Sequence, residues 1–152
     1  MIKFIASRIA IALVVAVPLT GSAQAVKVAA TPQAAVEEFM RALADSNLTR
    51  MADHFGTTKG PWSKTRPTGY EKQLIIMQAF LQGVHAKALG DVAASKGSMR
   101  TVTTQLSHNG CTVTIPVNVL KYKDGWLVHD YDQVEGRKIN QPCEQGGRPG
   151  NL

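Results

Sequence analysis

Residues 111–123 alternate apolar and polar side chains between two turn signals, and this pattern constrains the fold more than any other feature of the chain. Asn109-Gly110 precedes the segment and Asp124-Gly125 follows it, and both dipeptides are typical of two-residue hairpin turns. Alternation over this length predicts a strand with one buried face. The sequence therefore predicts an antiparallel meander with strands at about 85–95, 99–108, 111–123 and 126–135.

Three helices are predicted before the strands. Thr31 and Pro32 are typical of a helix start, and Asn47 is expected to cap a second, short helix. Thr68 and Glu71 have the spacing of a capping box at the start of a third helix. Apolar residues at helical spacing define the three faces: Val36, Phe39, Met40 and Leu43; Leu48, Met51, Ala52 and Phe55; Tyr70, Leu74, Met77, Leu81 and Val84. This order predicts an α+β fold with three N-terminal helices covering one face of the sheet.

The two tight turns also predict the strand register. If Asp124-Gly125 is the second turn, Lys123 opposes Trp126, and the side chains of each sheet face follow from that pairing. The inner face, which the helices must cover, then carries Val102, Leu106, Val113, Ile115, Val117, Val119, Trp126, Val128 and Val134.

Two acids fall on the same inner face in this register. Val119 opposes Asp130 and Val117 opposes Asp132. Pro116 lies mid-strand and removes a hydrogen-bond donor, so a bulge or bend is expected close to it. A bulge there turns both acids outward, and the register argument then fails for them.

Residues 1–25 are predicted to be a secretory signal peptide. Lys3 and Arg8 form a basic start, Ile9–Leu19 is a short apolar stretch, and Ala23-Gln24-Ala25 matches the pattern that signal peptidase cleaves. The alternative, an uncleaved anchor, is less favoured because the stretch is short for a bilayer core of about 30 Å. We expect an exported protein, periplasmic or extracellular, with no membrane span after cleavage.

Cleavage lowers the net charge from +6 to +4 because it removes two basic residues and no acidic ones. That mild charge, together with export, argues against a nucleic-acid partner. In an oxidising compartment Cys111 and Cys143 are expected to form a disulfide, closing a loop of about 33 residues worth about 3–4 kcal/mol. A redox-active or metal-binding thiol pair is the less favoured alternative because the CxxC spacing is absent. Residues 137–152 are expected to be a flexible tail pinned at Cys143.

The order of helix, short helix, loop, helix and curved sheet resembles the nuclear transport factor 2-like superfamily, which includes ketosteroid isomerase and the SnoaL-type cyclases. Residues 31–39 and the Gly125-Trp126 strand carry the resemblance, which covers about 31–136. It implies a cystatin-like cone with a pocket between the helices and the concave sheet, within a domain spanning 26–136. It implies no single chemistry, because this fold hosts enzymes and non-enzymes.

The expected pocket supplies the candidate functional residues. Asp130 and Asp132 are candidate catalytic residues, because a carboxylate in an apolar pocket suits general acid or base chemistry. His54 is a third candidate that only the tertiary fold can bring near them. Alternatively, an acid pairs with Arg100, or both lie at a solvated pocket mouth. The expected lining is Phe39, Phe55, Trp62, Met77, Val102, Val117, Val119, Trp126 and Asp130. Neither an HxH nor an HExxH spacing occurs, so no metal or cofactor is expected.

Residues 56–67 contain glycine and lysine without the order of a phosphate-binding loop, so nucleotide binding is rejected. Trp62 lies among Lys59, Lys64 and Arg66, and either contacts a partner or anionic surface or folds back to cap the pocket. We favour the capping role.

The outer sheet face is expected to carry an exposed apolar patch of Leu120, Tyr122, Leu127 and Tyr131, beside His129. Such a patch suits the homodimer that the resemblance implies. The sequence thus predicts an exported module that binds a small apolar or mixed-polarity ligand, or that serves an envelope protein partner. The alternative is an isomerase- or cyclase-like enzyme with a pocket carboxylate as general base.

Overall fold

The structure is a computed structural model that describes residues 28–93, 97–144 and 148–149 of the 152-residue chain. The predicted signal peptide lies outside the described residues. No helix within the described part is long and apolar enough to cross a membrane. The helices are α1 Pro32–Ala44, α2 Leu48–His54, α3 Trp62–Thr65, α4 Tyr70–Leu81 and α5 Gln133–Arg137. The strands are β1 Gly56–Thr57, β2 Gly60–Pro61, β3 His85–Ala93, β4 Met99–His108, β5 Cys111–Tyr122, β6 Gly125–Tyr131, β7 Cys143–Glu144 and β8 Arg148–Pro149.

Side-chain caps begin the first two helices where the sequence predicts them. Thr31 Oγ1 accepts a hydrogen bond from the Ala34 amide at 3.1 Å, and Asn47 Oδ1 accepts from the Arg50 amide at 3.0 Å. Each satisfies a backbone donor that the first helical turn leaves without a partner. Both caps are therefore confirmed.

The predicted capping box of α4 is wrong. Gly69, with φ of 78°, occupies the cap position in place of Thr68, and no side chain caps this helix. The Glu71 carboxylate instead accepts a hydrogen bond from the Tyr70 hydroxyl at 3.1 Å. A left-handed glycine lets the chain enter the helix from a sharp turn, which a threonine cap does not permit.

Strands β3, β4, β5 and β6 form one antiparallel sheet in that order. The first hairpin has the predicted register, with His108 paired to Cys111 and a two-residue turn between them. Asn109 and Gly110 have φ values of 48° and 81°, and positive φ at both positions is what this turn requires. The α+β fold class, with helices on an antiparallel sheet, is confirmed.

The second hairpin turns one residue earlier than the sequence predicts. Tyr122 pairs with Gly125, so the turn is Lys123-Asp124, and Lys123 adopts φ of 52°. The expected pairing of Lys123 with Trp126 is therefore wrong. Gly125 belongs to the strand, where an added Cβ would lie 2.7 Å from the carbonyl oxygen of Ala29. Glycine is needed there for close backbone approach and not for the turn.

A bulge in β6 reverses the orientation of the residues that follow it. Val119 of β5 pairs with Val128 of β6, but the preceding residue of β5, Asn118, pairs with Asp130. His129 is therefore an extra residue in β6. Asp130 consequently pairs with Asn118 on the outer face, while Tyr131 turns toward the helices and is buried. The expected inner placement of Asp130 and outer placement of Tyr131 are both wrong. The bulge keeps a carboxylate in water and places an aromatic ring in the core.

The last strand ends at Tyr131 and does not continue to 135. Asp132 Oδ1 accepts hydrogen bonds from the amides of Val134 and Glu135, at 3.0 and 2.9 Å, and so caps α5. Asp132 is exposed, and Val134, expected on the inner face, is 66% exposed. Both inner-face predictions fail because the chain leaves the sheet at the helix cap.

The chain beyond residue 136, where the sequence places the end of the domain, still contributes to the core. A short 3-10 turn at Lys138–Asn140 follows α5, and its Ile139 side chain is almost fully buried. The predicted disulfide between Cys111 and Cys143 is confirmed and joins the start of β5 to this segment. The first part of the predicted tail is thus packed onto the domain.

The predicted apolar patch on the outer sheet face is not exposed. Leu127 has no exposed surface, Leu120 is buried, and Tyr131 lies in the core on the opposite face. The phenol ring of Tyr122 is covered by Gly60, at which an added Cβ would lie 3.0 Å from the Tyr122 hydroxyl oxygen. The segment containing β1 and β2 folds back against β6 and Tyr122, an arrangement that strand alternation alone does not reveal.

Candidate functional site

Aromatic side chains fill the space between α1 and the sheet, where the sequence places a pocket. The Phe39 ring lies 5.3 Å from that of Phe55 and 6.4 Å from that of Tyr131. Phe39 is fully buried, as are three predicted lining residues of the sheet, Val102, Val117 and Val119. These four side chains form core, so they do not line a cavity.

A cavity of about 370 Å³, which we call the α4–β6 pocket, lies beside these aromatic side chains. Three of the predicted lining residues border it, from the end of α2, from α3 and from α4. The Trp62 ring packs edge-on at 4.5 Å from Phe55, which agrees with the favoured capping role of Trp62. The full lining is Phe55, Trp62, Gln73, Ile76, Met77, His129 and Gln133.

The polar groups of the α4–β6 pocket are side-chain amides and the ring nitrogens of His129 and Trp62. His129 Nδ1 donates a hydrogen bond to the Gly56 carbonyl at 3.0 Å, so in the neutral ring Nε2 is left as an acceptor. Gln73 and Gln133 each add an amide that both donates and accepts. Trp62 Nε1 is buried and has no hydrogen-bond partner among the described residues. The pocket therefore combines apolar walls with donors and acceptors and has no Asp, Glu, Lys or Arg in its described lining.

The two candidate acids do not reach this pocket. Asp130 is exposed and accepts a hydrogen bond from Asn118 Nδ2 at 2.7 Å, while Asp132 caps α5. The alternative pairing of either acid with Arg100 is also wrong, because Arg100 Nη1 lies 2.8 Å from Asp91 Oδ2. A general base must approach the substrate within hydrogen-bond reach. Neither carboxylate has that position in the α4–β6 pocket.

Trp126, another predicted lining residue, lies at the edge of the sheet and does not border the α4–β6 pocket. Lys121 Nζ is 5.4 Å from the centroid of its ring, and Arg100 Cζ is 5.9 Å away. Its amide donates to the carbonyl of Ala29 at 2.8 Å. Trp126 thus holds the start of the described chain on the sheet beside two cations.

His54 is buried at the end of α2 and contacts neither candidate acid. Its Nε2 lies 3.4 Å from Glu38 Oε2, and its Nδ1 has no partner in the described part of the chain. Burial lowers the pKa of His54 below 6.5, and the nearby Glu38 carboxylate offsets part of that effect. The imidazole is therefore neutral near pH 7. Within the described ranges, no three His, Cys, Asp or Glu side chains gather as a metal site would require.

The lowered pKa of His54 predicts a pH dependence of stability. Because the unfolded chain binds this proton at a higher pH than the folded chain, the free energy of unfolding should fall as the pH drops below 6.5. The loss ends once the pH is below the folded pKa. Urea titrations of the wild type and of His54→Gln test this over a pH range from about one unit above to about 1.5 units below the ordinary value.

The readout is the slope of the free energy of unfolding against pH. A loss of stability that is the same at every pH does not change this slope. His54→Gln should flatten the slope, whereas the same change at the exposed His85 should leave it as in the wild type. Glu38, Arg50 and Asp53 are the charged groups that act on His54, and all remain in the variant. Equal slopes in His54→Gln and the wild type contradict the prediction.

A second cavity, of about 260 Å³, lies on the other side of α4, and we call it the α2–α4 cleft. Helix α4 borders both cavities with different residues. Ile76, which is 39% exposed, lines the α4–β6 pocket, and Ile75, which is 50% exposed, lines the cleft. The cleft lining is Leu48, Thr49, Ala52, Ser63, Arg66, Tyr70, Glu71, Leu74 and Ile75.

Sequence reasoning missed His129 and both adjacent isoleucines. His129 was expected on the outer face, and the bulge places it beside the α4–β6 pocket. Pro116 was the only available signal, since it indicated a bulge without fixing which residue is the extra one. Ile75 and Ile76 fall outside the predicted apolar stripe of α4, and two large apolar residues outside a stripe are a usable signal for a second packed or ligand-binding face.

No protein-family model and no curated protein matches this chain. The chain is similar in structure to a nuclear transport factor 2-like protein of unknown function from Cytophaga hutchinsonii. That match has a TM-score of 0.41 and 18% sequence identity, and it covers 70% of this chain and 94% of the other. This similarity brings no activity, ligand or partner with it.

Proposed function

We propose that this protein is an exported module that binds a small, uncharged ligand of mixed polarity in the α4–β6 pocket. The observation that carries the proposal is a cavity of about 370 Å³ with aromatic and aliphatic walls, a few polar groups and no Asp, Glu, Lys or Arg in its described lining. Ligand sites in proteins are concave, mostly apolar, and contain a few placed polar groups. Export is supported by the signal-peptide pattern of residues 1–25 and is compatible with the disulfide.

The chemistry of the lining defines the ligand class. A flat ring fits against Phe55 and Trp62, because aromatic pairs stabilise each other at offset or edge-on geometry. An amide or carbonyl on that ring finds donors at Gln73 and Gln133, and an N–H or O–H finds the His129 Nε2 acceptor. A charged group finds no counter-ion in the described lining, so an anion of the same shape should bind less well.

Benzamide and benzoate test this proposal as a matched neutral and anionic pair. In NMR titrations of the ¹⁵N-labelled protein, benzamide should shift the indole N–H resonance of Trp62 in a saturable way, and benzoate should shift it less. Ile76→Trp should abolish the effect because its larger ring occupies the pocket. Ile75→Trp is the matched control, since Ile75 is the adjacent residue and lines the other cavity.

Two results would contradict the proposal. The first is a Trp62 resonance that benzamide does not shift at millimolar concentration. The second is an equal loss of binding in Ile76→Trp and Ile75→Trp, because the site would then lie elsewhere on the molecule.

The alternative, an isomerase- or cyclase-like enzyme with Asp130 or Asp132 as general base, has less support from the structure. Both carboxylates lie outside the α4–β6 pocket, and both have other partners, Asn118 and the first turn of α5. A role as an accessory module for an envelope protein is favoured by the filled interior. The exposed patch from which we expected a homodimer is buried within the chain.

A further inference from the structure

The α2–α4 cleft contains the charges that the α4–β6 pocket lacks. Its lining includes one cation, Arg66, and one anion, Glu71, and both residues are exposed. The described part of the chain contains three ion pairs within 4.0 Å, and neither residue belongs to any of them. Two opposite charges in one cavity, neither paired with the other, suit a ligand that carries both signs.

Arg66 and Ser63 offer donors for a carboxylate. Arg66 ends α3 in the left-handed region, with φ of 41°, and its Nε donates to the Ser63 carbonyl at 3.4 Å. That contact orients the guanidinium and leaves its Nη groups for a ligand. Ser63 Oγ is buried in the same cleft wall and has no partner among the described residues. Guanidinium and hydroxyl groups together bind carboxylates well.

Glu71 offers an acceptor for an ammonium group. It lies in the first turn of α4, where its carboxylate accepts the Tyr70 hydroxyl at 3.1 Å. This hydrogen bond raises the pKa of Tyr70, and the charge of Arg66 acts on the same hydroxyl in the opposite direction. Arg66, Tyr70 and Glu71 all line the cleft, and both charges act on the Tyr70 hydroxyl.

The rest of the lining is apolar. Leu74 and Ile75 are adjacent on α4 and both line the cleft. Leu74 is almost fully buried, and Ile75 is 50% exposed. Leu48 and Ala52 of α2 complete this apolar part. A volume of about 260 Å³ accommodates a small molecule that has one apolar side chain and two charged groups.

We propose that the α2–α4 cleft binds a free apolar α-amino acid as its zwitterion. Glu71 binds the ammonium group, Arg66 and Ser63 bind the carboxylate, and the side chain packs on Leu74 and Ile75. The site is separate from the α4–β6 pocket, so it stands or falls independently of the function proposed above.

Three leucine compounds test which charges the cleft recognises. L-leucine carries both charges, N-acetyl-L-leucine lacks the ammonium group, and L-leucinamide lacks the carboxylate. In NMR titrations of the ¹⁵N-labelled protein, L-leucine should shift amides of α2, α3 and α4 in a saturable way at millimolar concentration. Each derivative should bind about three- to fivefold more weakly, since partly exposed ion pairs make modest contributions.

Two substitutions then assign each charge to its residue. Glu71→Gln should lower leucine affinity and remove the preference for leucine over N-acetyl-L-leucine. Arg66→Ala should lower leucine affinity and remove the preference for leucine over L-leucinamide. Glu37→Gln on α1 and Lys64→Ala on α3 make matched charge changes outside the cleft and should leave binding unchanged.

The proposal is overturned if L-leucine produces no saturable shift, or if the three compounds bind with equal affinity. It is also overturned if the Glu71 and Arg66 variants bind leucine as their controls do. A preference for N-acetyl-L-leucine over leucine would overturn it as well, because the ammonium group would then weaken binding instead of contributing a contact with Glu71.

Discussion

Replacing Phe39 with alanine is expected to lower the free energy of unfolding by about 3–5 kcal/mol, the range for removing a fully buried aromatic ring. Phe39 has no exposed surface, and its ring contacts those of Phe55 and Tyr131 at 5.3 and 6.4 Å. The truncation leaves a cavity at the contact between α1, α2 and the sheet, and it removes two aromatic contacts. Urea denaturation followed by circular dichroism measures the loss.

Phe80→Ala is the matched control for that substitution. Phe80 is half-buried on α4, where it packs against the edge of the core, and its ring centroid lies 4.8 Å from Arg137 Cζ. Removing it should cost less, about 1–2 kcal/mol, because a half-buried ring loses only part of its packing area together with a cation–π contact of about 0.5–1 kcal/mol. If Phe39→Ala costs no more than Phe80→Ala, the interior is not filled in the way the structure shows, and a ligand cavity beneath α1 becomes plausible again.

Removing the disulfide by Cys111→Ser and Cys143→Ser together is expected to lower the free energy of unfolding by about 3–4 kcal/mol. The two cysteines are 32 positions apart, and their cross-link restricts the unfolded chain over that whole loop. The bond joins the start of β5 to the segment that carries Ile139. Chemical denaturation of the double variant and of the oxidised wild type measures the difference.

Reducing agent supplies the control for the disulfide variant. Dithiothreitol should destabilise the wild type toward the value of the double serine variant, and it should leave that variant unchanged. A double variant within about 1 kcal/mol of the oxidised wild type would contradict the prediction, given the expected chain-entropy effect. Burial of Ile139 would then be sufficient to hold the segment on the domain.

Local signals predict the secondary structure correctly where short-range chemistry decides it. Thr31 and Asn47 cap α1 and α2 through hydrogen bonds to amides three residues ahead, which depend only on nearby chain. The Asn109-Gly110 turn fixes its own register because both residues adopt positive φ readily. The cysteine pair follows from the expected compartment and from the presence of only two cysteines.

The same reasoning failed where a distant part of the chain decides the outcome. Gly125 was read as a turn residue, but Ala29 approaches it so closely that the strand requires glycine. The turn therefore lies at Lys123-Asp124, although Lys123 has to adopt the less favourable left-handed conformation there. No signal within residues 120–130 indicates that the chain near Ala29 packs at this position.

The candidate site, too, was predicted correctly where local pattern decides it and wrongly where distant packing does. Phe39, Phe55, Trp62 and Met77 are predicted to lie between helices and sheet, and they lie there, whereas Trp126 lies at the sheet edge. Whether such side chains line a cavity or fill it depends on how closely α1 approaches the sheet, and that distance is set by the packing of the whole core. Phe39 fills that space, whereas Phe55, Trp62 and Met77 border the α4–β6 pocket, one of two cavities beside α4.

The sequence by itself determined the order of the three longest helices and the four strands of the main sheet, the first hairpin, two helix caps and the disulfide, because each follows from contacts between near neighbours or from composition. Only the tertiary structure decided the bulge at His129 and, with it, which face Asp130 and Tyr131 occupy. An extra residue in one strand reverses every side chain beyond it, since side chains alternate with a period of two. The reversal is favoured because it brings the Tyr131 ring to Phe39 and leaves the Asp130 carboxylate in water, and neither contact can be read from the strand that contains them.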